Sequence, residues 1–111
     1  MNYLVLLYEN PANLPSDGAA RDAQFKAYGD FTEAIRASGH FVSGTPLIPM
    51  PDQVRTVKSS GVTPGPAHKN AEALVGMYVL ECASIDEAAM IAGKIPAAKK
   101  GSVEVVPFMD M

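Results

Sequence analysis

Residues 74–109 read "LVGMYVLECASIDEAAMIAGKIPAAKKGSVEVVPFM", and the way this stretch divides decides the architecture. Its first part, Leu74 to Ala83, is a near-continuous apolar run of strand length, which predicts burial on most of both faces. Ser84 then stands three residues before Glu87, the spacing of a capping box, and Ile85, Ala88, Ala89, Ala92 and Ile95 fall on one helical stripe. The pattern predicts a helix from Ile85 to Lys94, which Pro96 prevents from continuing. "SVEVVPFM", Ser102 to Met109, alternates in the manner of a closing strand. One β-α-β unit results.

The same order recurs upstream. "NYLVLLY", residues 2–8, is a β-favouring run broken by "ENPANLPSDG", whose Asn, Pro and Gly residues interrupt regular structure. From Asp17 to Ser38 the residues Phe25, Tyr28, Phe31, Thr32 and Ile35 recur at three and four, which predicts a helix, and Gly39 is suited to the left-handed position after it. "HFVSGTPLIPMP" holds β-formers among prolines and predicts an edge strand or one that ends irregularly. "VRTVKSSGVT" predicts a β-hairpin around Ser59, Ser60 and Gly61. The order β-α-β, hairpin, β-α-β predicts an α+β ferredoxin-like sandwich, an antiparallel sheet with both helices on one face. The other face would be left bare, and because large apolar patches are rarely exposed on soluble monomers, a face-to-face homodimer is expected.

The chain has 111 residues, enough for one domain spanning 1–111 and too few for two. Nine basic against twelve acidic residues give a net charge of -3. With no basic cluster beyond Lys99 and Lys100, neither a nucleic acid nor an anionic membrane is an expected partner. The first apolar run stops at Glu9, too short for a signal peptide or a membrane span. Cys82, the single cysteine, allows no internal disulfide and fits a reducing cytoplasm; in its apolar strand it reads as a small buried thiol.

The residues that could carry chemistry are few. His40 and His68 are the side chains that titrate near neutrality when unperturbed, and with Tyr28 they are the catalytic candidates. His40 follows the helix-ending Gly39, where an imidazole caps free carbonyls or faces solvent. His68 lies in the loop "TPGPAHKN", where Pro64, Gly65 and Pro66 restrict the backbone and present it. The ligand-binding candidates are Tyr28, Arg55, His68, Glu72 and Tyr78. Neither histidine has a partner at metal-ligand spacing, so no metal and no cofactor is expected. No glycine-rich phosphate loop or nucleophile elbow appears.

Four segments, "NYLVLLYE", "YGDFTEAIRASGHFVSGTPLIP", "VTPGPAHKNAEALVGMYVLE" and "SIDEAAMIAGKIPAAKKGSVEVVPFM", in this order resemble a YCII-related protein of the DGPF-domain branch over essentially the whole chain. The resemblance implies a dimeric α+β barrel, in which two ferredoxin-like sheets pack together, in a bacterial protein of mostly unassigned function. Against the branch's signature "DGPFAETKE", Pro64 stands at the aspartate, Gly65 and Pro66 are kept, Ala67 replaces the phenylalanine, Lys69 the first glutamate, and Glu72 retains the last acid. The resemblance also implies, for some members, a helix-one histidine paired with an aspartate for acid–base work; Tyr28 stands at that position here. A phenol of ordinary pKa about 10 is a poor base near neutrality. Two functions are therefore expected to compete: a non-catalytic or regulatory module binding a small molecule between helix one and the sheet, slightly favoured, and a lyase or isomerase using Tyr28 or a histidine for proton transfer.

Overall fold

In "NYLVLLYE" every second residue is taken by the core. The computed structural model, which describes residues 1–110, forms strand β1 from these residues, Asn2–Glu9, with Tyr3, Val5, Leu7 and Glu9 buried and the intervening ones half-covered. There follow helix α1 (Gly18–Ala37), β2 (Phe41–Pro46), β3 (Arg55–Lys58), β4 (Gly61–Pro64), β5 (Ala73–Glu81), helices α2 (Ile85–Ala92) and α3 (Ala97–Lys100), and β6 (Ser102–Pro107). The main sheet has the order β2-β5-β1-β6 with every pairing antiparallel. This is the ferredoxin-like α+β arrangement. The β3–β4 hairpin is a separate two-stranded sheet, inserted between the two β-α-β halves.

Both long helices cover one face. Phe31 and Ile35 of α1 and Ala88, Ile91 and Ala92 of α2 join Tyr3, Val5, Leu7, Tyr78 and Leu80 in a single core. Phe31 meets Tyr78 edge to face at 5.3 Å between ring centroids, a geometry that aromatic quadrupoles favour. On the opposite face Leu4, Leu6, Met77 and Val79 are only half-covered. A bulge between Leu7 and Tyr8 shifts the pairing with β5 by one residue.

Capping explains where the helices begin. Asp17 accepts the Ala20 N–H at 2.8 Å, and Ser84 accepts that of Glu87 at 3.1 Å, while the Glu87 carboxylate takes the Ala83 N–H at 2.9 Å. Ser84 thus caps the helix as expected, while Glu87 reaches one residue further back than a standard box, to Ala83 instead of the N–H of Ser84. Gly39 ends α1 with φ 81, and the Arg36 guanidinium sits 4.5 Å from the centre of the Phe41 ring.

Several expectations need correction. Phe25 is 69% exposed: the core takes only the narrower side of the α1 stripe. α2 ends at Ala92, short of Lys94, and its buried stripe is Ala88, Ile91, Ala92 and Ile95; Ile85 and Ala89 face outward. The helix axis is turned so that Ile91 rather than Ala89 meets the sheet. The turn α3 after Pro96 was not anticipated, because proline there starts a new turn as readily as it ends the old one. β6 stops at Pro107 and β5 at Glu81, so Cys82 lies just past its strand, still buried.

Candidate functional site

Two concavities flank the sheet near the Glu9 end of β1. One, of about 660 Å³, lies between α1 and the sheet and is walled by Leu7, Phe25, Tyr28, Thr32, Val75 and Tyr78 among others. The other, about 1280 Å³, opens between the sheet and the hairpin arm and is bordered by Tyr8, Arg55, His68, Glu72, Ser102 and Glu104. Pro46, Leu47 and Pro49 line both, so the chain leaving edge strand β2 is the wall between them.

The sequence-predicted residues divide accordingly. Tyr28 and Tyr78 meet in the α1 pocket. The Tyr78 hydroxyl is 3.0 Å from Thr32 Oγ1, which donates to the Tyr28 carbonyl at 2.9 Å; a hydroxyl proton given to that carbonyl leaves Tyr78 as the donor between the two. Gly44 permits this arrangement: a Cβ there would come within 2.6 Å of the Tyr78 ring. The Tyr28 phenol is pushed up to about 12, first by burial, then by the nearby Glu9 and Tyr78, with the Ala97 amide offsetting part of the rise. It is a protonated donor across the physiological range.

Arg55, His68 and Glu72 belong to the second concavity. Arg55 spends its guanidinium on the carbonyls of Asp52 and Val54, at 2.7 and 3.1 Å, and Glu72 accepts from Ser102 Oγ at 2.5 Å. The Gly65 corner that presents His68 is tied back to the hairpin: its N–H donates to Val54 at 2.7 Å, and its carbonyl accepts from Thr56 Oγ1 at 2.7 Å. Gly65 has φ 94, the left-handed conformation that glycine adopts freely. His40 joins neither concavity. Its ring does not cap α1 but lies between Ser38 and Glu87 at the other end of the sheet.

Sequence reasoning missed Glu9. Among the described residues it is the buried acid, 3% exposed, and its carboxyl is raised by burial and by Glu72, with Lys100 opposing. Strand parity was the available signal, since Glu9 shares its face with Tyr3, Val5 and Leu7. A folded pKa above the ordinary 4.5 means that the native state holds the proton more tightly, so stability is full below that value and is lost as pH rises through the folded pKa. Glu9→Gln should therefore melt higher than the parent at neutral pH, with the two curves converging below about pH 4. Parallel melting temperatures at all pH values would show that Glu9 titrates normally. Tyr8 faces the other concavity, its phenol raised by burial and by a hydrogen bond with Glu104.

The fold and the pocket under its first helix define a ferredoxin-like α+β protein with room for a small molecule. The chain belongs to the family of YCII-related domains, whose model matches residues 1–111. A solved structure of similar fold is 5-chloro-2-hydroxyhydroquinone dehydrochlorinase from Burkholderia phenoliruptrix AC1100, in complex with 2,5-dihydroxybenzoquinone. Its TM-score is 0.60 at 16% identity, over 98% of this chain and 94% of that one. No curated protein matches this chain. Among the described residues no helix is long and apolar enough to cross a membrane.

Proposed function

We propose that the α1 pocket binds a small, largely apolar, ring-sized molecule, and that Tyr28 donates a hydrogen bond to an oxygen on it. The observation that carries this reading is the meeting of an apolar cavity of about 660 Å³ with a phenol held protonated at about 12. Ligand pockets have this composition, mostly apolar walls with a few placed polar groups. A phenol so protonated orients a ligand or donates to it but does not abstract its proton, which favours binding over base catalysis.

Thermal melts with a panel of hydroquinones and hydroxyquinones test the reading, since a ligand specific to the native state raises the melting temperature. Tyr28→Phe should bind about tenfold more weakly, the equivalent of one hydrogen bond of about 1.4 kcal/mol. A panel without a single stabilising compound, or a variant that binds as well as the parent, would overturn it.

The enzyme reading draws on two observations: a structure of like fold is a dehydrochlorinase, and buried Glu9, with its raised carboxyl, lies close enough to act on the phenol electrostatically. Perturbed groups of this kind recur in active sites. Chromatographic detection of product from a bound panel member would decide for it.

The functional unit is proposed to be a cytoplasmic homodimer joined through the sheet face away from the helices, as a dimeric α+β barrel. Three features support this. Leu4, Leu6, Met77 and Val79 are half-covered there, and Val106, paired with Leu4 on the same face, is 43% exposed. The radius of gyration, 15.1 Å, exceeds the about 13 Å of a compact domain this long. The excess fits an arm, β3–β4, that reaches beyond its own body, with Val57 72% and Val62 61% exposed.

A further inference from the structure

Three side chains far apart in the sequence meet at the Met1 end of the sheet. His40 leads into β2, Cys82 follows β5, and Glu87 stands in the first turn of α2; one ligand atom from each lies within 4.8 Å of the other two. Cys82 is 4% exposed, while the His40 and Glu87 side chains are 25% and 35% exposed.

The hydrogen bonds around His40 suit the tautomer that a metal ion takes. Ser38 Oγ donates its one proton to the Ile35 carbonyl at 3.2 Å. With the serine proton so placed, the 2.7 Å contact with His40 Nδ1 is made by Nδ1–H donating to the hydroxyl oxygen, the tautomer in which Nε2 can ligate. In the neutral ring Nε2 is left with a bare lone pair. That lone pair faces the Glu87 carboxylate at 3.3 Å. A proton or a metal cation on Nε2 makes that contact favourable.

We propose that His40 Nε2, Cys82 Sγ and the Glu87 carboxylate bind a divalent cation of the zinc class, with solvent as the fourth ligand. A proton on Nε2 would satisfy the histidine–glutamate contact, and the thiol hydrogen-bonds the same carboxylate; a metal in their place uses all three donors. A nitrogen, sulfur and oxygen donor set suits borderline-soft zinc and not calcium or magnesium, which take oxygen alone. Zinc bonds of about 2.0–2.3 Å in tetrahedral array separate their donors by about 3.3–3.8 Å, which the 3.3 Å pair already meets. The outer partners are in place: Ser38 orients the imidazole, and the Ala83 N–H holds the Glu87 carboxylate at 2.9 Å. Ligating side chains are ordinarily fixed in this way. The nearby Met1 ammonium, which also reaches the Cys82 carbonyl at 3.2 Å, is neutralised by Glu81 at 3.0 Å. The partial exposure of His40 and Glu87 leaves an entry path and a place for water. Such an ion would tie the start of β2 to the turn between β5 and α2.

The test titrates the metal-free full chain with zinc by calorimetry and with cobalt by absorption. One equivalent of zinc should bind, and cobalt should give a thiolate charge-transfer band together with the intense visible bands of a tetrahedral ion. Cys82→Ser should remove the charge-transfer band. His40→Gln should weaken zinc by more than about 100-fold and Ser38→Ala by about tenfold. Circular dichroism checks the fold of each variant, and the partly exposed His40 serves if Cys82→Ser does not fold. A folded parent chain with no saturable zinc uptake would overturn the proposal, as would uptake that His40→Gln leaves unchanged.

Discussion

Gly101→Ala should yield almost no folded protein. Gly101 ends α3, and a Cβ added there would fall far inside van der Waals contact with the Tyr8 carbonyl oxygen and within 3.0 Å of Glu9 Cα. Neither neighbour is the end of a flexible side chain. Tyr8 belongs to the central strand, held in register with Ser102 on one side and Leu74 on the other, so relief requires β1 and the α3 turn to separate. Overpacking of cores costs about 1–3 kcal/mol when side chains can shift; with backbone on both sides the loss should be about 3 kcal/mol or more, a large share of the stability of a small domain. Chemical denaturation of whatever soluble material is recovered gives the measurement. A midpoint equal to that of the parent would mean that α3 does not press on β1.

Val79→Asp should turn a dimer into a monomer while leaving the protomer folded. Val79 pairs with Leu4 on one side and Ser43 on the other, on the face that the helices leave uncovered, so the new carboxylate meets solvent in a monomer. In a twofold face-to-face assembly it would be buried, with its symmetry mate close by, and desolvating a carboxylate costs several kcal/mol. Sedimentation should find a dimer for the parent at micromolar concentration and a monomer for the variant, with superimposable far-ultraviolet spectra. A monomeric parent, or a variant that sediments with it, would refute the sheet-face dimer.

The fold was legible because its signals are local. The strand periods at Asn2–Glu9 and Ala73–Glu81, the capping box at Ser84, and the glycine ending α1 each report on neighbours a few residues away. Sites are assembled from distant residues, and there the reading thinned. Tyr28 and Tyr78 do share a pocket, but Arg55, His68 and Glu72 lie in another, because no local pattern tells which side of a sheet an inserted hairpin will flank. Glu9 was legible by strand parity, since it shares its face with Tyr3, Val5 and Leu7, but composition marks an acid there only as the end of the apolar run. The grouping of His40 with Cys82 and Glu87 depends on β2 and β5 being adjacent, a fact of topology that spacing rules do not contain.

Pro46, Pro49, Pro51, Pro64 and Pro66 all lie in the segment that leaves β2, makes the hairpin arm and returns toward β5. Each fixes its own φ and narrows the choices of the residue before it. The arm therefore has few conformations to surrender when something docks against it, whether a ligand in the concavity it borders or a second copy of the chain. Most of the ordering penalty that weakens flexible loops as binding elements has been met once, during folding, and is not incurred again at each encounter.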